Sequence, residues 1–422
     1  MIRARLAFCA LIFCAAIFSA HAATSDWPQW RGPSQTGHVP DGVPVPATLP
    51  AECKTVWKIP VGEGFASPVV AGGKVFWLDN KEAHEVAHAA DAATGKEIWN
   101  TVIFESHRDG FGIGPRCTPV VDGKFVFVQS CKGEFQCLNV DDGKKIWSKN
   151  FVTDFGAIYI GEKGMAAGAS RHGNNGAPVV DGENILVQVG SPKDACIVCF
   201  KKATGDVVWK SQPDQSAYAP PVIATIAGVK QIVSFTIEGV IGLDVKDGKL
   251  LWRVPLKTTY GRHVTTPVIV DDLVVVASHM IGLVGTRIVK DGSGLKAENA
   301  WTNKDMKINF SSPVAVGNFL YGLGPAKNVV CIDLKTGSVV WEKTGNINSA
   351  PDKAFAGFLV FGKNILMLND SGQLILFAAD PKEYKEMGRV QVCGNNWCNP
   401  AYSDGKLYLR DAKELWCVEI GK

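Results

Sequence analysis

The chain has 422 residues, 46% of them hydrophobic and 20% charged, which supplies a large core and excludes a disordered or fibrous polymer. The formal charge of +3 falls to +1 once Arg3 and Arg5 are set aside. That leaves no basic surplus for nucleic acid or an anionic membrane surface.

Residues 1–22 stand apart. Arg3 and Arg5 precede an apolar run over 6–18, and Ala20-His21-Ala22 follows with the small-residue spacing of a cleavage site. This pattern predicts a secretory signal peptide, too short to span a bilayer. Cys9 follows Phe8 and Cys14 follows Phe13, so neither has the small preceding residue of a lipidated cysteine, and no lipid anchor is expected. No later segment is long and apolar enough for a transmembrane helix. The expectation is an exported, soluble, monomeric protein, periplasmic or secreted, with a leader over 23–54.

From there the chain repeats. A strand-opening triplet recurs as Pro68-Val69-Val70, Pro119-Val120-Val121, Pro178-Val179-Val180, Pro221-Val222-Ile223, Pro267-Val268-Ile269 and Pro313-Val314-Ala315. Degenerate copies follow at Phe358-Leu359-Val360 and Pro400-Ala401-Tyr402, making eight. A Thr-Gly or Asp-Gly turn closes most repeats four residues before a tryptophan: Trp99, Trp147, Trp209, Trp252 and Trp341. Glycine supplies the positive φ of a tight hairpin, and the indole is large enough to fill the space between neighbouring sheets. The fifth repeat is degenerate around Asp291 and Trp301, and the seventh has Asp380-Pro381 and no tryptophan. The eighth ends before a fourth strand, while Thr55-Val56-Trp57-Lys58-Ile59 has that strand's pattern at the other terminus. The prediction for residues 55–422 is an all-β, eight-bladed β-propeller of four-stranded antiparallel blades, its ring closed by the N-terminal strand completing the last blade. This exchange of strands between the termini disfavours an open solenoid.

Cys137, Cys199, Cys331 and Cys417 share a repeat position filled elsewhere by Ala89 and Gly242, which marks a small buried site and no metal ligand. Cys196 and Cys199 have the CxxC spacing but lie within a strand, where neither redox nor zinc chemistry is favoured. Cys393 and Cys398, in a loop of an exported chain, are the candidate disulfide. No metal motif is present.

Within each clear repeat the distance from proline to tryptophan barely varies. The connections entering the second and third repeats are long, 20 and 31 residues against 12 to 17 elsewhere. Long loops on a rigid scaffold are where binding concentrates. They carry His107, Asp109 and Arg116, then Tyr159, Lys163, Arg171, His172, Asn174 and Asn175; later connections add Tyr260, Arg262, His263, Asn309, Asn395 and Asn396. Several fall three to six residues before a strand-opening proline, so they should converge on the axis. The expected site is a polar pocket lined by Arg116, Arg171, His172, Asn174, Asn175, Arg262, His263, Asn309, Asn395 and Asn396, suited to an anionic or polyhydroxylated small ligand or to a protein partner. The alternative is a hydrated rim with no ligand. Asp109 and Asp154 are isolated acids, and catalytic residues stay unknown.

The motif Ala-x-Asp-x-x-Thr-Gly-x-x-x-Trp, complete over 89–99, resembles the docking repeat of quinoprotein propellers. Trp27-Pro28-Gln29-Trp30-Arg31-Gly32-Pro33, Val56-Trp57-Lys58 and the stretch over 62–68 are similar to exported PQQ-binding-like propeller proteins. The resemblance implies the propeller fold, and two roles. One branch, the PQQ-dependent dehydrogenases, holds PQQ with Ca²⁺ over the channel and uses an aspartate base, often beside a Cys-Cys disulfide that this sequence lacks. The other is the BamB-type assembly propellers, lipid-anchored and non-catalytic. The function expected is a non-catalytic binding or protein-interaction scaffold in envelope or outer-membrane protein assembly, with a PQQ-dependent oxidoreductase of alcohols or sugars as the alternative.

Overall fold

The structure, a computed structural model, describes residues 26–43, 46–158, 172–258, 261–349 and 354–421. The expected signal peptide over 1–22 lies outside the described residues, as do Tyr159, Lys163, Arg171 and Tyr260.

Eight antiparallel sheets of four strands each are arranged in chain order. Blade 1 runs Val69–Ala71, Lys74–Lys81, His84–Asp91 and Glu97–Glu105, from the axis outward. Blades 2 to 7 repeat this plan and open at Val120, Val179, Val222, Val268, Val314 and Ala356. Blade 8 contributes Ala401–Ser403, Lys406–Arg410 and Glu414–Glu419, and Lys54–Pro60 pairs antiparallel with the last of these. The ring therefore closes by the strand exchange the sequence predicts. Middle strands are buried on both faces, whereas outermost strands alternate: in Glu97–Glu105 only Trp99 and Ile103 face inward.

Each repeat tryptophan does two jobs. Within its own blade it lies opposite the small repeat position, as Ala89 with Trp99, Cys137 with Trp147, Cys199 with Trp209, Gly242 with Trp252, Cys331 with Trp341 and Cys417 with Trp57. Across the blade boundary its ring covers the next closing turn. A Cβ at Gly95, Gly143, Gly205, Gly248 or Gly337 would sit 2.8 Å or less from the indole of Trp57, Trp99, Trp147, Trp209 or Trp301. The indole N–H then donates to a carbonyl of that turn: Trp57 to Ala92, Trp99 to Val140, Trp147 to Lys202, Trp209 to Val245 and Trp301 to Leu334, at 2.8–3.1 Å. A buried indole thus gains apolar burial and satisfies its one donor. Trp252 is the exception. Blade 5 extends its outer hairpin to Gly282–Asp291 and Gly294–Asn303, and Trp252 donates to Gln231 of its own blade instead.

Blade 7 lacks a tryptophan, and the leader fills its place. Gly388 occupies the tryptophan position opposite Leu376, and Leu49 packs so closely that a Cβ there would lie 3.0 Å from the Leu49 Cβ. Thr48 donates to the Met387 carbonyl at 2.6 Å. Earlier, the leader crosses the ring. Trp27 pairs with Val70 of blade 1, the Pro28 carbonyl accepts from Val121 of blade 2, and Gln35 donates to Pro221 of blade 4. Arg31 donates to Pro313 of blade 6, and Val39 to Val360 of blade 7. Residues 26–39 are thereby tied to the innermost strands.

Candidate functional site

One repeat position builds the site. Three residues before the first residue of each strand-opening triplet stand Phe65, Arg116, Asn175, Tyr218, Val264, Phe310, Phe355 and Trp397, one per blade. All eight line one axial pocket of about 930 Å³ of empty space, counting the part open to solvent. The leader supplies its floor through Trp30, whose indole donates to Thr266 Oγ1 at 2.8 Å. Phe111, on the small hairpin Arg108–Asp109 and Gly112–Ile113, reaches across the mouth. Its ring centroid lies 5.2 Å from His172, 6.0 Å from Phe310 and 5.6 Å from Trp397. Trp397 meets Phe65 at 5.8 Å and Phe310 at 5.3 Å. These separations are those of paired rings.

Two guanidiniums complete the wall. Arg116 lies over Phe65 at 5.3 Å and Arg262 over Phe310 at 6.0 Å. Arg116 grips Asp109 through both terminal nitrogens at 2.6 and 2.8 Å and donates to the His172 carbonyl at 2.6 Å. The His172 ring meets the same carboxylate at 2.6 Å, and Asp109 accepts from the Phe111 N–H at 2.7 Å. This carboxylate therefore binds the connections into blades 2 and 3 together and sets Phe111 in position. Burial alone would raise the Asp109 carboxyl, but its bonds to His172 and Arg116 hold it well below the usual range. Behind this wall Glu85 is fully buried and accepts from the Cys131 N–H at 3.0 Å; burial pushes its carboxyl up to about 7.

The pocket differs from the polar one expected. Arg116, His172, Asn175 and Arg262 line it. His263 does not: it is buried, stacked on Phe235 at 4.0 Å, and shares its Nδ1 with the Thr236 carbonyl, and burial lowers it to about 4. Asn174 is spent on the carbonyls of Gln188 and Val189. Asn309 lies beside the wall without lining it. Asn395 and Asn396 belong to a second cleft, and Arg171 lies outside the described residues. The residues missed were aromatic. Their signal was the fixed offset from the strand opening, which places one side chain per blade at the rim whatever its chemistry.

The expected disulfide is absent from the described residues. Cys393 and Cys398 stand as separate buried thiols without a disulfide. Their loop is held by other means: Gly394 N–H donates to Asp411, Asn396 Oδ1 accepts from the Cys398 N–H, and Asn396 N–H donates to the Asp370 carbonyl. Asp154 accepts from the Asn150 N–H at the start of the short helix Phe151–Phe155, a capping role.

A Ca²⁺-held quinone does not fit these donors. Among the described residues no carboxylate lines the pocket, Asp109 is engaged by Arg116 and His172, and no cluster of three His, Cys, Asp or Glu is placed to hold a metal ion. What the arrangement offers is an aromatic-lined pocket, its rings tilted or edge-on to one another, with cationic edges.

The family profile described as outer membrane protein assembly factor BamB matches residues 82–343. The protein of that name from Yersinia pestis is 22% identical over 335 residues, covering 75% of this chain and 76% of that one. Its Salmonella typhimurium counterpart is 24% identical over 304 residues, covering 68% and 69%. Among solved structures, BamB from Moraxella catarrhalis superposes with a TM-score of 0.56 at 14% identity, over 87% of this chain and 98% of that one. Quinohemoprotein alcohol dehydrogenase from Comamonas testosteroni gives 0.50 at 15% identity, over 94% and 81%. At these identities the structural likeness speaks for the fold alone.

Proposed function

The chain belongs to the family described as outer membrane protein assembly factor BamB, and we propose that it is a non-catalytic β-propeller scaffold that binds protein partners during outer-membrane protein assembly. The family match over 82–343 carries this reading. The site supports it: a rigid ring presents aromatic and arginine side chains, the residue types that dominate protein interfaces. The composition of residues 1–22 favours export, and we place the protein in the periplasm, acting as a single chain.

Deleting the chain from its host and measuring the folded fraction of outer-membrane β-barrel proteins by heat-modifiable gel mobility tests this role. A fall in folded barrel proteins, restored by the wild-type chain, is expected. Unchanged barrel levels would overturn it.

A further inference from the structure

A second cleft of about 1350 Å³ of empty space, counting the part open to solvent, adjoins the axial pocket, and the two share Phe65, Phe111 and Trp397 as a common ridge. Their charges are opposite. The axial pocket has Arg262, with Arg116 beside it already paired to Asp109, and no lining carboxylate among the described residues; the cleft is lined by Glu63 and by Asp370 and Asp411, which accept backbone N–H groups, against Lys413 as its lining cation. From this we infer that pocket and cleft form one groove for an extended polypeptide segment of the partner. The segment seats an aromatic side chain over Trp30, places an adjacent carboxylate at the arginine edge, and lays a basic side chain in the acidic cleft.

A compact ligand fills only the axial half. Nucleic acid is opposed by the carboxylates of the cleft. A polyhydroxylated chain finds mostly aromatic carbon in the axial pocket and few polar groups to pair with its hydroxyls. A polypeptide can supply an aromatic ring, an anion and a cation in sequence along an extended backbone, and side-chain pockets of this kind give such recognition its specificity. The inference rests on the scaffold reading for the partner's being a protein.

The test uses the purified full chain and its own tryptophan fluorescence, since Trp30 and Trp397 both face the pocket. The probe is a short synthetic peptide carrying a lysine and, further along, a phenylalanine followed by an aspartate. Replacing the phenylalanine by alanine, the aspartate by asparagine, or the lysine by glutamate should each weaken binding about tenfold, the scale of one well-placed contact. In the Arg262→Gln variant the preference for aspartate over asparagine should disappear, a ratio that does not depend on the fraction of protein folded. Equal binding of all four peptides, binding of phenylacetate as tight as that of the parent peptide, or no binding at all would overturn the groove. Absent peptide binding with lowered barrel proteins in the deletion strain would sink the groove and leave the scaffold role. Selective peptide binding with normal barrel proteins would sink the assembly role and leave the groove.

Discussion

Trp57, on the first strand of the ring, covers the turn at Gly95 and donates its indole N–H to the Ala92 carbonyl at 3.0 Å. This closes the boundary between blades 8 and 1 with the contact used at the boundaries between consecutive blades 1 to 4. The chain termini thus meet in a joint of ordinary strength, which makes the joint testable at a single residue.

Gly95 has φ +72°, and a Cβ there would lie 2.8 Å from the indole. Gly95→Ala should cost about 2–4 kcal/mol, the sum of left-handed strain and a displaced tryptophan. Gly72 is the control: its φ is +56° but nothing lies within 4 Å of the added atom. Gly72→Ala should cost only about 1–2 kcal/mol. Urea unfolding of both variants checks this, and equal losses would show that the indole contact contributes nothing.

Leu49 stands in for the missing tryptophan of blade 7. Leu49→Ala should destabilise by about 2–4 kcal/mol through the cavity it leaves, and Gly388→Ala by about 1–3 kcal/mol through crowding. Both should raise amide hydrogen exchange over 46–50 while residues 26–39, tied separately to the inner strands, keep their protection. Exchange rising equally across both stretches would mean that the leader is held as one unit.

Glu85 predicts a pH dependence. Its folded pKa is raised to about 7 from an ordinary 4.5, so between those values the folded state binds more protons than the unfolded chain. Stability associated with Glu85 is therefore full below about pH 4.5 and lost as pH rises through about 7, by up to roughly 3 kcal/mol. Glu85→Gln removes that loss. The melting temperature of the variant relative to wild type should climb between pH 4.5 and 8, and a flat difference would show that the carboxyl is ionised in the fold at no cost.

Much of this was legible in the chain. The triplets, the Gly-to-Trp spacing and the small position filled by Ala89, Gly242 and four cysteines gave the blades, their number and the closing strand, because each is a local pattern repeated at a fixed period. The leader was not legible as structure. Nothing in Trp27 to Arg31 says that they cross the ring, since their partners, from Val70 to Pro313, are scattered along the chain on inner blade edges that must first assemble. The site was half legible. Looking for charge near the axis found Arg116, His172, Asn175 and Arg262, but passed over Phe310, Phe355 and Trp397, whose significance is positional. It also credited His263 and Asn174 to the pocket, though the fold uses both to satisfy backbone groups.

Asp109 joins structure to site, and its removal separates the two. Its folded pKa is held well below the ordinary carboxylate value, so the stability it contributes is present above about pH 4 and declines as pH falls below that. Asp109→Asn should cost about 2–4 kcal/mol at neutral pH by leaving the largely buried Arg116 without its bidentate partner. The gap to wild type should narrow in acid, where the unfolded chain's carboxyl takes up a proton that the native carboxylate does not. Arg116→Gln probes the same pair from the other side. If the two groups act as a unit, the double variant loses less than the sum of the single losses. Because Asp109 also accepts from the Phe111 N–H, Asp109→Ala, which removes that acceptor, should alter quenching of pocket tryptophan fluorescence by acrylamide, whereas Arg116→Gln, which leaves that bond in place, should alter it less. Equal quenching changes in the two variants would mean that Phe111 is placed by the aromatic ring around it and not by the carboxylate beneath.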